Sequence, residues 1–115
     1  MREAEMFEPI IRYLSDQGYH VLQTNRGRQR GPDLLAEKQG KKLVVQVKGD
    51  STAIKTDWDT GLGQLLDIMD DEKADYAIAV SESYNPLAKN LPMLAKNRLQ
   101  LIIFILKKNG SIERI

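Results

Sequence analysis

Residues 31–48 read Gly-Pro-Asp-Leu-Leu-Ala-Glu-Lys-Gln-Gly-Lys-Lys-Leu-Val-Val-Gln-Val-Lys, and the fold is decided there. Residues 33–37 and 43–48 are short apolar runs separated by Gln39-Gly40-Lys41, a pattern that predicts a hairpin of two strands. Both strands are apolar enough to be central. Side chains alternate across a sheet, so Gln46 and Lys48 leave from one face and Val45 and Val47 from the other. An amide and an ammonium inside an apolar strand therefore converge on one spot. Pro32-Asp33 opens the preceding strand, and a short hairpin brings the Asp33 carboxylate beside Gln46 across the pair.

On the N-terminal side, Phe7, Ile10, Ile11 and Leu14 fall at the spacing of one helix face, and Gly18 is placed to end that helix. Pro9 predicts a start near Met6 or a kink at that point. Residues 19–24 read as a strand, followed by a polar loop whose Arg26, Arg28 and Arg30 make it the most basic segment of the chain. On the C-terminal side, Leu62, Leu65, Leu66 and Met69 predict a second helix running to about Asp71, with Asp57, Asp59 or Thr60 as its N-cap. Residues 76–80 form a buried strand. Asn85-Pro86 opens a third helix carrying Leu87, Leu91, Leu94 and Ala95, which Pro92 should bend. Residues 99–106 are the most apolar strand. Asn109-Gly110 predicts a two-residue hairpin turn into residues 111–115, which then pair at a sheet edge. Strands separated by helices imply parallel pairs, and the two hairpins imply antiparallel ones. The expected fold is an α/β three-layer sandwich, a central mixed sheet flanked by helices, forming one domain over residues 1–115.

The chain has 17 basic and 16 acidic side chains, a net charge of +1, so nucleic-acid binding must come from a local patch and not from the global field. It has no cysteine, which excludes disulfide scaffolds, thiolate zinc sites, iron-sulfur clusters and cysteine nucleophiles. His20 is the only histidine, which excludes catalysis by paired imidazoles. No apolar run approaches the roughly 20 residues that cross a bilayer, and no secretory leader is visible, so the expectation is a cytoplasmic protein with no membrane contact.

Carboxylate and amide oxygens such as those of Asp33 and Gln46 suit a hard cation like Mg²⁺, which keeps several waters and uses few protein ligands. The Lys48 ammonium is placed to orient or help deprotonate a metal-bound water, or to stabilise charge developing on a phosphate. This is a metal-dependent hydrolysis site in outline.

Pro32-Asp33, the intervening residues 34–45 and Gln46-Val47-Lys48 together resemble the signature of the PD-(D/E)XK nucleases. The order of helix, three strands, helix and strand is similar to the core of that superfamily, and the likeness covers about the first 80 residues. Phe7-Glu8 before Gly18-Tyr19 resembles the first-helix segment of Mrr-like restriction enzymes and archaeal Holliday-junction resolvases, with Glu8 preferred to Glu5. Gln64, in Gly61-Leu62-Gly63-Gln64, is similar to a glutamine that some of these families carry after the lysine strand. The resemblance implies a restriction-endonuclease-like fold and a Mg²⁺-dependent endodeoxyribonuclease, with Mn²⁺ as a substitute. It implies Asp33, Gln46, the Val47 backbone carbonyl and Glu8 as metal ligands, with Lys48 and Gln64 completing the catalytic set. Gln46 departs from the pattern, because the family usually has Asp or Glu there, and a neutral amide binds a divalent ion less strongly.

DNA is then the expected partner, with Arg26, Arg28, Arg30 and Lys55 as phosphate contacts. So small a domain has little surface for reading sequence, which favours structure-selective or partner-directed cleavage. A homodimer would suit a two-strand cut, with the apolar C-terminal strands as its candidate interface. The alternative is a catalytically inactive nuclease-fold module that binds nucleic acid, or an interaction subunit. His20 reads as a surface strand residue, Trp58 as packing or a rim contact able to stack on a base, and Asp67, Asp70, Asp71 and Glu72 as a solvated helix end.

Overall fold

The computed structural model describes residues 1–25 and 31–115. A six-stranded mixed sheet runs in sequence order: β1 (His20–Thr24), β2 (Leu34–Lys38), β3 (Lys41–Lys48), β4 (Asp75–Ser81), β5 (Leu101–Leu106) and β6 (Ile112–Arg114). The first three strands pair antiparallel, β3, β4 and β5 pair parallel, and β6 returns antiparallel on β5. Helix α1 (Glu3–Asp16) covers one face. Helices α2 (Ile54–Asp67) and α3 (Asn85–Lys89) cover the other, with α4 (Met93–Leu99) beside them. The three-layer α/β sandwich expected from the sequence is the fold found.

Local chemistry explains most boundaries. Gly18, at φ +91, ends α1: its N–H donates to the Ser15 carbonyl at 3.0 Å and the Tyr19 N–H to the Leu14 carbonyl at 2.9 Å. This is a Schellman motif, which favours glycine at the left-handed position. Between β2 and β3, Gln39 and Gly40 both have positive φ, 53° and 81°, as a two-residue type I′ turn requires.

Four expectations are corrected. Helix α1 starts at Glu3, three residues before Met6, and runs through Pro9. Burying Met6, Phe7, Ile10 and Leu14 contributes about 1.5–3 kcal/mol each, which outweighs the roughly 3 kcal/mol that a proline inside a helix costs. Helix α2 begins at Ile54, with Ala53 at the N-cap position and no side-chain cap, so Asp57, Asp59 and Thr60 lie inside it. Pro92, at φ −55 and ψ 131, breaks the third helix into α3 and α4 where a bend was expected. The last hairpin is wider than a two-residue turn, because Leu106 pairs with Ile112 and only Gly110 of its loop has positive φ.

Two apolar clusters sandwich the sheet. Val45, Val47, Ala77, Ala79 and Phe104 face α1, whereas Ile78, Val80, Ile103 and Ile105 face α2 and α3. β5 is buried on both faces and hydrogen-bonded on both edges, which rules out the C-terminal strands as a broad dimer interface; only the short β6 lies at that edge. No helix among the described residues is long and apolar enough to cross a membrane.

Candidate active site

The parity read from the sequence holds in space. Val45 and Val47 enter the α1 side, so Gln46 and Lys48 project toward α2, at the end of β3 where β2 has already run out. Gln46 is only 4% exposed, and its amide makes no side-chain hydrogen bond within the described residues. Among those residues Asn85 Oδ1 is the sole fully buried side-chain polar atom lacking a partner, so the Gln46 amide reaches a solvent-touched opening. A polar group carried so far inward without a protein partner is costly unless water or a ligand satisfies it.

Asp33 stands just before β2, one step beyond the Leu34–Val45 pair and therefore next to Gln46. Its Oδ2 accepts a hydrogen bond from the Val47 N–H at 2.8 Å. In an extended strand a residue's N–H and C=O leave on the same side, so the Val47 carbonyl also points toward Asp33. Burial pushes the Asp33 carboxyl above its ordinary pKa, while the Val47 N–H and the Lys48 ammonium pull the other way.

Glu3, which the sequence reading missed, opens α1 with its backbone against Gly49, the residue after Lys48. Burial likewise pushes the Glu3 carboxyl up; the charges of Asp33 and Asp57 add to the effect and that of Lys48 opposes it. Glu3, Asp33, Asp57 and Lys48 thus share one electrostatic environment. Glu8, exposed like Glu3, is not among the charges that shift Asp33 or Glu3. Five residues on from Glu3, it is turned about 140° round the helix axis.

Two glycines allow the elements to meet. A Cβ on Gly49 would lie 2.2 Å from the Glu3 nitrogen, so the start of α1 rests directly on the chain that follows Lys48. A Cβ on Gly61 would lie 3.1 Å from Lys48 Cγ and 3.1 Å from Ile78 Cδ1, so α2 rests on the lysine stem and fixes where the ammonium emerges. Asp57, Gly61 and Gln64 follow the i, i+4, i+7 spacing and share one stripe of α2, with Gln64 exposed on it. Gly63 has no such contact. Below, the Tyr84 hydroxyl donates to the Gly49 carbonyl at 2.9 Å. Burial, with Asp57, Asp50 and Glu3 adding, pushes its pKa up to about 12, so it remains a donor throughout the physiological range.

Trp58 is buried against Tyr84, with ring centroids 6.4 Å apart, so it is packing and not a base-stacking surface. Lys55 is exposed and pairs with Asp59 at 2.6 Å, an i, i+4 contact worth only a few tenths of a kcal/mol. Arg26, Arg28 and Arg30 lie outside the described residues. His20 is exposed on its strand, as expected.

Among the described residues no group of three or more His, Cys, Asp or Glu side chains is arranged to hold a metal ion. The oxygens present still fit a hard cation held largely by water: the Asp33 carboxylate, the unpartnered Gln46 amide and the Val47 carbonyl, with Glu3 close enough to sense Asp33.

Comparison with known proteins settles the family. The family model described as a restriction endonuclease, that of the Mrr catalytic domain, matches residues 1–103. The chain belongs to the Mrr restriction-endonuclease family. Restriction-endonuclease-like domains of this kind generally use divalent metals. A UPF0102 protein of Aquifex aeolicus is 40% identical over 53 residues, which are 45% of this Mrr-family chain and 52% of that protein. The chain thus spans about half the length of the curated relative it matches. Two cyanobacterial crystal structures share the fold. One is an XisH family protein from Nostoc punctiforme, 18% identical, with 94% of this chain and 96% of that one aligned at a TM-score of 0.66. The other is an fdxN element excision controlling factor protein from Anabaena variabilis, also 18% identical, with 93% and 94% aligned at a TM-score of 0.67.

The two raised carboxyl groups give a stability prediction with a definite sign. A carboxyl whose folded pKa exceeds its unfolded value costs stability while ionised, and that cost is relieved as pH falls through the folded pKa toward the unfolded one. Asp33→Asn, whose amide oxygen can still accept from Val47 N–H, should melt higher than the parent at neutral pH. The difference should shrink as pH falls through the carboxylate range. Thermal melts of both chains across that range check it.

Proposed function

We propose that this chain is a Mg²⁺-dependent endonuclease that hydrolyses DNA phosphodiester bonds, acting as one nuclease domain over residues 1–115, with Mn²⁺ as a substitute. The observation that carries the reading is the meeting of Asp33, the buried and unpartnered Gln46 amide and Lys48 at the end of β3 in an Mrr-family chain. Asp33, Gln46 and the Val47 carbonyl would hold the ion, and a bound divalent ion would supply Lewis-acid charge at the scissile phosphate.

The remaining steps belong to the side chains. Lys48, with its stem held under Gly61, directs its ammonium at a non-bridging phosphate oxygen and offsets the charge that accumulates as water attacks phosphorus. Glu3, whose turn rests on Gly49 next to Lys48, accepts the proton lost by the attacking water as the P–O bond to the leaving oxygen breaks, and the leaving alkoxide takes its proton from solvent water. Gln64, on the same stripe of α2 as Gly61, positions substrate. Arg26, Arg28, Arg30 and Lys55 hold the DNA backbone, and the small surface favours structure-selective or partner-directed cutting.

A second reading, a module that binds DNA without cutting it, is favoured by one feature: Gln46 is an amide where a carboxylate would bind metal more strongly. Cleavage of labelled duplex, single-stranded and four-way-junction DNA with Mg²⁺ or Mn²⁺ separates the two. The nuclease reading expects metal-dependent products, and tighter Mn²⁺ binding by Gln46→Glu in calorimetry. Retained DNA binding without cleavage in either metal would establish the module instead.

A further inference from the structure

Residues 49–50, directly after Lys48, are held by three side-chain donors. Asp50 Oδ1 accepts from the Ser81 hydroxyl at 2.6 Å and from the Ser83 hydroxyl at 2.8 Å, and the two serine oxygens lie 2.9 Å apart. The Tyr84 hydroxyl holds the Gly49 carbonyl one residue earlier. Ser81 is the last residue of β4, and residues 82–84 form the short turn after it. The end of β4 therefore anchors the segment that follows the end of β3.

The same two residues carry the start of α1. The Asp50 N–H donates to the Met1 carbonyl at 2.8 Å, the other Asp50 carboxylate oxygen pairs with the Met1 ammonium, and the Glu3 nitrogen rests on Gly49. Helix α1 has no cap of its own, since Arg2 stands at the N-cap position without a side-chain cap. The Arg2–Glu5 pair beside it is exposed and adds little. A helix start without a cap takes its position from what it is docked on, and here that is Gly49 and Asp50. Asp50 is half exposed, so its bonding does not fill the core; it joins the strand end carrying Lys48 to the turn carrying Glu3.

We propose that Asp50 is a positioning residue: anchored by Ser81 and Ser83, it fixes the first turn of α1 against the end of β3 and so sets the approach of Glu3 to Lys48. Its consequence for catalysis rests on the proposed hydrolysis, whereas the positioning is measurable without it. Bonds from the Met1 ammonium, Ser81 and Ser83 hold the Asp50 carboxyl down at about 2, so Asp50 stays ionised while Glu3 titrates. The charges that act on Glu3 are those of Asp33, Lys48 and Asp57, and Asp50 is not among them. A changed Glu3 titration in an Asp50 variant thus reports a displaced turn.

Carbon-13 NMR of the Glu3 carboxyl across pH, on the whole chain without metal or DNA and with the signal assigned by its loss in Glu3→Gln, tests this. In Asp50→Ala the Glu3 midpoint should fall toward the ordinary glutamate value while that of Glu8 stays put. Ser81→Ala with Ser83→Ala, which keeps the Asp50 charge and removes its anchor, should shift Glu3 the same way, and Ser83→Thr, which keeps the hydroxyl, should match the parent. In DNA cleavage both altered chains should lose about 10- to 100-fold in kcat with KM little changed, and the acid limb should move to lower pH. An unchanged Glu3 titration in the folded variants would overturn the proposal, as would a shift in Asp50→Ala with the serine pair silent. A parent that cuts no DNA overturns the nuclease reading alone, because the Glu3 titration still decides the positioning; if Asp50→Ala fails to fold, the serine pair decides it.

Discussion

Lys48→Met should lower DNA cleavage by about 10²–10³-fold while changing the melting temperature little. The magnitude is that of removing one preorganised charge from a developing oxyanion. The choice of methionine follows from the packing: the lysine stem touches the position where Gly61 lacks a side chain, and Cγ and Cε lie 3.1 and 3.3 Å from where its Cβ would stand. Alanine would open a cavity there and mix a packing loss with a chemical one. Methionine keeps the stem and deletes only the charge. Removing that ammonium also removes an influence that lowers the pKa of Asp33 and Glu3, so the pH profile of any residual activity should move upward. Rates of product formation and thermal melts of the two proteins measure all three effects.

Gly49→Ala should give the largest structural effect. Its added methyl would fall 2.2 Å from the Glu3 nitrogen and 2.7 Å from the Arg2 carbonyl carbon, both backbone atoms that no rotamer change can move. The start of α1 must shift or fray, and overpacking of this kind costs about 1–3 kcal/mol. For a chain of this length that lowers the melting temperature by roughly 3–15 °C. Cleavage at a temperature where the variant is still folded should fall too, because Glu3 rides on the displaced turn. Its rate against pH separates a displaced proton acceptor from a merely weaker fold: a displaced Glu3 alters the acid limb, whereas simple destabilisation scales the whole profile.

Part of this site was legible in the sequence because it rests on local rules. Strand parity puts Gln46 and Lys48 on one face whatever the rest of the chain does, and a tight hairpin leaves little choice about where Asp33 arrives. The glycine at position 18 announced the end of α1 for equally local reasons. Glu3 was hidden by two effects. Pro9 moved the expected start of the helix past it, since proline's local cost is readable and the burial of Met6, Phe7, Ile10 and Leu14 that overrides it is tertiary. Its approach to Lys48 then depends on Gly49, nearly fifty residues away, whose need to be glycine appears only once the two segments touch. The early start of α2 was hidden in a similar way, because Ala53 gives no capping signal and Trp58 and Gly61 reveal their inward face only against β4 and Tyr84.

On the proposed function, the carboxylate of Asp33 makes this end of β3 a metal-dependent hydrolytic centre. Cleavage of labelled DNA by the parent chain and by Asp33→Asn, each with Mg²⁺, with Mn²⁺ and with chelator, tests it most directly. Products that appear only with metal and vanish in the folded Asp33→Asn chain are the predicted result. Equal cleavage by both chains, or none by a folded parent in either metal, would contradict it.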